Sequence, residues 1–208
     1  MIKSQCHPPI KKIDFKGELL QVMSNKKALI FRVLIIIAIA GFAAGWFLDW
    51  WSTYVVHLQL ADAVVIHPWG LEYGDLGTFK GYLEDADMPA YFAPLMWVYF
   101  ALCVIALLAS LFLRGKNIKI WKYTFSLPGF ILFAVGVSYI VVAIAGTIVA
   151  AIRTGDYYGL KLLGTTFIYV QEHVESDMIS GFKIGYWFVW GTGVYCLLLA
   201  LLRKKLYT

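Results

Sequence analysis

"YTFSLPGFILFAVGVSYIVVAIAGTIVAAI", residues 123–152, runs for thirty residues without a charge. At 1.5 Å per residue a helix of that length reaches about 45 Å, against a bilayer hydrocarbon core of roughly 30 Å. The stretch reads as a transmembrane helix with length to spare. Pro128 delays the helix start, and the far end is expected to stand clear of the membrane as a strut for the adjoining loops. Gly129, Gly136, Ala143 and Ala150 recur every seven residues along it. Such a stripe of small side chains lets another helix backbone approach closely in lipid, so these four are candidate interaction residues.

Three more stretches, residues 28–51, 93–113 and 184–202, are long and apolar enough to cross a bilayer, which takes about 20 residues. The whole chain is 61% hydrophobic and 15% charged, which lies outside the soluble globular range. The fold expected is a membrane α-helical, four-transmembrane-helix bundle carrying a small extracytoplasmic antiparallel β-sheet. One integral membrane domain, 1–208, takes up the chain. Between the spans lie an N-terminal segment at 1–27, a first outer loop at 52–92 and an inner loop at 114–122. A second outer loop at 153–183 and a tail at 203–208 complete it. Residues 10–27 carry apolar positions at Phe15, Leu19, Val22 and Met23 and read as an interfacial helix. The long basic flank before residue 28 favours a signal anchor over a cleaved signal peptide.

Fourteen of the 18 basic residues fall in the N-terminal segment, the inner loop and the tail, counting Arg32 just inside the first span, whereas the other face holds 11 of the 13 acids. By the positive-inside rule both termini are cytoplasmic, in a plasma or cytoplasmic membrane. Anionic lipid headgroups account for these short juxtamembrane clusters, so membrane lipids are expected partners and nucleic acid is not.

The outer loops have strand character. Residues 53–60 alternate, 63–67 form a second β-prone run ended by Pro68, 79–83 a third, and 165–173 a fourth. Trp69, between Pro68 and Gly70, stands apart from the tryptophans near span ends (Trp46, Trp50, Trp51, Trp97, Trp121, Trp187 and Trp190), which an interfacial aromatic belt explains. It reads as an anchor of the sheet on the bundle, or as an exposed contact for a partner.

Trp50 or Trp51 after span one, "WGLEYG" at 69–74, "FKGYLEDADMPAYFAPLMW" at 79–97 and "GFKIGYWFVWGTG" at 181–193 resemble the claudin and peripheral myelin protein superfamily. The resemblance implies four spans, cytoplasmic termini, a long third helix and a sheet built mainly from the first outer loop. It also implies lateral association, cell–cell contact or an auxiliary subunit role. Two features depart from that family: Glu72 stands where its second tryptophan belongs, and the first-loop cysteine pair is absent.

No span carries an ionisable residue in its middle, the usual mark of ion pathways and proton relays. All four histidines lie outside the spans, which leaves no haem ligand within them. Cys6 lies in the N-terminal segment, while Cys103 and Cys196 lie inside spans, so no outer disulfide is expected and the two span thiols read as small apolar fillers. Two outer acidic clusters are weak metal candidates through oxygen ligands: Glu84, Asp85 and Asp87, and His173 with Glu175 and Asp177. His57, His67 and His173 would suit zinc or copper if the sheet gathered them. No catalytic residue and no cofactor are expected. The function these residues favour is a non-enzymatic four-span membrane protein acting in lateral or partner association, as a homo-oligomer or with another membrane protein. The alternatives are an accessory integral subunit of a larger respiratory or transport complex, and a metal-binding or hydrolytic outer-face protein.

Overall fold

Proline and glycine placement decides where the helices begin. The structure is a computed structural model, and it describes residues 15–59, 61–73, 88–113, 117–120, 123–158, 161–171 and 174–207. Within them α1 is Phe15–Phe47, α2 is Phe92–Phe112, α3 is Leu127–Tyr158 and α4 is Ile184–Tyr207. Each contains a segment long and apolar enough to cross a membrane: Lys26–Phe47, Phe92–Phe112, Leu127–Gly155 and Ile184–Leu202. Pro94 and Pro128 both sit in a first helical turn, where the amide hydrogen they lack has no intrahelical acceptor.

Two boundaries differ from the sequence reading. The proposed interfacial helix is not separate, because from Phe15 the chain continues without a break into the first span. Nothing in Ser24–Asn25–Lys26–Lys27 interrupts helical hydrogen bonding, so the helix simply propagates. At the start of the third span Tyr123–Ser126 is not helical. It forms strand β5 of a hairpin with β4, Asn117–Ile120. Pro128 cannot sit deeper than the first turn, which frees this aromatic and β-branched tetrapeptide to pair as a strand.

At the opposite end of the bundle the two longer loops merge into one antiparallel sheet. Its strands are β1 Trp51–Val55, β2 Val64–His67, β3 Gly70–Tyr73, β6 Gly164–Gln171 and β7 Val174–Phe182. Their order is β3-β2-β1-β7-β6, so pairing of β1 with β7 joins the two loops. β1 is shorter than the alternation at 53–60 implied: Gln59 and Asp62 adopt left-handed backbone angles (φ 49° and 54°), and the chain turns there. The expected strand at 79–83 lies outside the described residues.

The bundle core joins Phe31, Ile35, Phe42 and Trp46 of α1 with Leu107, Leu132, Tyr139 and Val189 of the other helices. Trp46, Trp50 and Trp51 are buried rather than members of an interfacial belt. Trp46 stacks on Phe100 at 4.8 Å between centroids, and the Trp50 indole donates to the Gly45 carbonyl at 2.7 Å. The buried Tyr139 hydroxyl likewise donates to the Phe42 carbonyl at 3.1 Å. A second core of Trp51, Val55, Ala63, Val64 and Met178 lies under the sheet.

α3 shows why the bundle closes. Gly129, Gly136, Ala143 and Ala150 are all buried, whereas Val137, Val141, Ile144, Ile148 and Ile152 are exposed. Small residues face the protein and branched ones face outward, the arrangement expected where lipid rather than water surrounds the helices. A Cβ on Gly136 would stand 2.9 Å from the Gly193 carbonyl oxygen and 3.0 Å from the Cys196 Cβ, so the stripe seats α4 of the same chain at Gly136. Gly41 and Gly45 of α1 lie against Thr192, and against Tyr139 and Val189, in the same way. Gly185 at the start of α4 lies against the Leu48 and Asp49 carbonyls.

Candidate functional site

The β2–β3 hairpin pairs His67 with Gly70, which leaves Pro68 and Trp69 as the connecting residues. The turn aims the Trp69 ring at the bundle. Trp69 stacks on His67 (4.7 Å between centroids, 1° between planes) and on Trp97 of α2 (5.3 Å, 28°). Trp46 and Phe47 of α1 each lie 6.1 Å away. The indole is half-buried and closes an aromatic layer between hairpin and helices.

His67 is 8% exposed. Its Nδ1 lies 3.7 Å from an Asp49 carboxylate oxygen and its Nε2 lies 3.3 Å from one of Glu72, yet neither nitrogen makes a hydrogen bond among the described residues. The carboxylates sit at opposite ends of the ring, so all three groups cannot ligate one ion through these atoms. The composition of the loop gave no signal for this trio. Only the hairpin register brings it together, by placing Glu72 opposite Val65, one diagonal step from His67.

A second polar link ties the β1–β2 connection to the start of α4. Asp62 pairs with Lys183 at 3.1 Å. A hydrogen bond with the Ser52 side chain, then the Lys183 ammonium, hold the Asp62 carboxyl below its ordinary pKa.

The weak metal candidates are dispersed or out of view. Glu84, Asp85, Asp87 and His173 lie outside the described residues. Glu175 and Asp177 are alternate residues of β7 on one face of the sheet. His57 is exposed in the β1–β2 connection and His67 is buried at the end of β2, so the sheet does not gather these two. Among the described residues no group of three or more His, Cys, Asp or Glu is placed to hold a metal ion.

Strand β7 was obscured in the sequence because its inward positions are polar. Ser176, Met178 and Ser180 point into the core while Glu175 and Ile179 point out. The serines are accommodated by hydrogen bonds. Ser176 Oγ accepts from the His57 amide at 3.0 Å, and Ser180 Oγ donates to the Lys161 carbonyl at 2.5 Å. The outward face of the sheet carries Tyr54 opposite Ile179, and Phe167 opposite Asp177, with Val56 beside them. Phe167, on the edge strand β6, is 78% exposed.

Beneath the sheet is a cavity of about 170 Å³. Trp50, Trp51, Val64, Ile66, His67 and Leu71 line the sheet side, and Phe92 and Met96 of α2 form a second wall. α3 supplies Val142, Gly146, Val149 and Ala150, with Arg153 and Thr154 one turn beyond. Cys103 and Cys196 are buried free thiols far along the helices and do not border it.

No protein-family model and no curated protein matches the chain.

Proposed function

We propose that the chain is a non-enzymatic four-span membrane protein whose outer sheet docks a second copy or another membrane protein. The observation that carries this reading is the row of Tyr54, Ile179 and Phe167 on the sheet's outward face, ending at the open edge strand β6. Exposed aromatic and aliphatic side chains next to an unpaired strand edge are what association surfaces use, and soluble monomers usually protect such edges. The small-residue stripe of α3 is buried within the chain, with Gly136 against α4, so among the described residues the sheet is the better candidate surface for a partner.

The charge split supports an orientation with the sheet outside and both termini in the cytoplasm of a plasma or cytoplasmic membrane. The long α3 and the sheet at one end of the bundle support the resemblance to the claudin and peripheral myelin protein superfamily. The second outer loop supplies two of the five strands, however, a larger share than that resemblance implies.

Extraction in a mild detergent followed by native mass measurement tests the proposal. The parent chain is expected as a species heavier than the monomer, and Phe167→Asp with Ile179→Ser is expected to return it to the monomer. Chains of unlike mass travelling with the parent, and lost in the double variant, identify an accessory subunit docked by the same face. A parent that is monomeric after gentle extraction, or an assembly indifferent to the double variant, overturns the reading.

A further inference from the structure

We propose that the cavity beneath the outer sheet takes up a single hydrocarbon chain from the surrounding bilayer, without reading the headgroup attached to it. The chemistry of the wall selects this ligand, because the polar side chains that border the cavity are all engaged within the protein. Trp50 and Trp51 donate their indole hydrogens to the Gly45 and Leu162 carbonyls at 2.7 and 2.6 Å. Thr154 donates its hydroxyl to the Ala150 carbonyl at 2.8 Å, and Arg153 has an interaction partner inside the chain. The His67 nitrogens face the Asp49 and Glu72 carboxylates. The other lining side chains are aliphatic, aromatic or thioether. A ligand that brought hydrogen-bonding groups into this space would leave them desolvated and unpaired. A hydrocarbon brings none.

Size and position point to a chain. An apolar cavity of about 150 Å³ stays dry and accommodates benzene, so the space here takes a stretch of about six carbons. The span Phe92–Phe112 measures about 31 Å, close to the thickness of one bilayer hydrocarbon core. Phe92 and Met96, which wall the cavity, therefore stand in its first two turns, at the boundary where acyl chains begin. The lining also reaches the outside of the bundle. Ala145 and Val149 belong to it, and both are exposed on the flank of α3 that carries Val141, Ile144 and Ile148. Gly146 is needed for the cavity's shape: a Cβ there would lie 3.1 Å from the Trp50 ring. This inference rests on the helices crossing a membrane but not on partner docking, since it uses the opposite face of the sheet.

Photolabelling in a bilayer tests the inference. The full chain is placed in phosphatidylcholine nanodiscs that contain a small share of phosphatidylcholine with a diazirine at the end of one acyl chain. After irradiation the adducts are mapped by mass spectrometry. Trp51 and Val64 are each 2% exposed, so an adduct on either reports a chain inside the cavity. Adducts on the exposed Leu95, Val98 and Leu102 of α2 report lipid around the bundle. Both sets are expected, and a phosphatidylglycerol probe with the same chain should give them in the same ratio. Ala150→Phe, which fills the cavity, is expected to lower the Trp51 and Val64 adducts about tenfold. The α2 adducts should not change, which shows that the variant is inserted. Ala145→Leu at the exposed flank is a milder second variant, expected to lower the same adducts in part. Labelling of Trp51 and Val64 by either phospholipid assigns the chain to a bilayer phospholipid, and labelling by a diazirine-bearing fatty alcohol alone assigns it to a free single-chain lipid. Adducts confined to α2, adducts on Trp51 and Val64 that persist in both variants, or a ratio that depends on the headgroup overturn the proposal. Absence of the α2 adducts as well overturns the membrane reading with it.

Discussion

Trp69 touches two helices and its own hairpin through one ring, and that geometry gives it a testable energetic role. Stacked between His67 and Trp97, it covers the buried Trp46 and lies beside the exposed Phe47. Truncating a large aromatic in a core costs about 3–5 kcal/mol. Because this indole is only half-buried, Trp69→Ala is expected to cost roughly 2–3 kcal/mol, with Trp69→Phe recovering part of it. Chemical denaturation of the monomer in detergent measures this, and an unchanged stability would make Trp69 a partner contact instead. The Asp62–Lys183 pair makes a smaller, pH-dependent contribution. The Asp62 carboxyl is depressed in the folded chain, so the pair stabilises the fold above the unfolded carboxyl pKa of about 3.9. That stabilisation is lost as pH falls through the lower folded value. Both side chains are nearly half exposed, and solvent screening limits such a pair to about 1 kcal/mol. Lys183→Met should therefore lower the unfolding temperature by about 1–2 °C at pH 7. The gap between variant and parent should narrow below about pH 4.

At the scale of elements, α3 separates what a sequence pattern reveals from what it hides. The heptad of small residues was visible as a stripe, and the exposed branched residues on the opposite face follow from the same period. Which neighbour the stripe meets was not visible, because a seven-residue repeat does not name its partner. Nor does the pattern distinguish glycine from alanine within it. Ala143 and Ala150 fit with their methyl groups, but Gly136 faces the Gly193 carbonyl, and a methyl there must push backbone apart. Gly136→Ala is accordingly expected to cost about 1–3 kcal/mol, the usual range for overpacking, and Gly136→Leu to prevent α3 and α4 from closing. Thermal unfolding of the monomer reads both, and a neutral Gly136→Ala would show that α4 shifts freely along α3. Strands were legible where apolar residues alternate, as at Val64–His67. They were missed where serines turn inward, as in β7, or where a proline frees the residues before a helix, as in β5. The His67, Asp49 and Glu72 cluster was illegible for a related reason: strand register brings Glu72 to His67, and no local composition records register.

For the whole molecule the chain's polarity follows from its architecture, since one end carries the five-stranded sheet and the other the β4–β5 hairpin, the start of α1 and the end of α4. Helices α1 and α3 lead into the sheet and α2 and α4 leave it, so the sheet lies on one side of any membrane these helices cross. Among the described residues, Lys16, Lys26, Lys27, Lys119, Arg203, Lys204 and Lys205 belong to the opposite end. Translocating short basic segments is unfavourable, so the proposed orientation, with the hairpin end in the cytoplasm and the sheet outside, is the one to test. Two positions on the sheet end suit a labelling test, because His57 and Leu163 are both exposed. Cysteine at either position should react with a membrane-impermeant thiol reagent on intact cells. The native Cys6 should react only after the membrane is permeabilised, and the buried Cys103 and Cys196 should stay unlabelled until the protein unfolds. Labelling of Cys6 in intact cells, with His57→Cys and Leu163→Cys silent, would reverse the orientation and place Tyr54, Ile179 and Phe167 against a cytoplasmic partner.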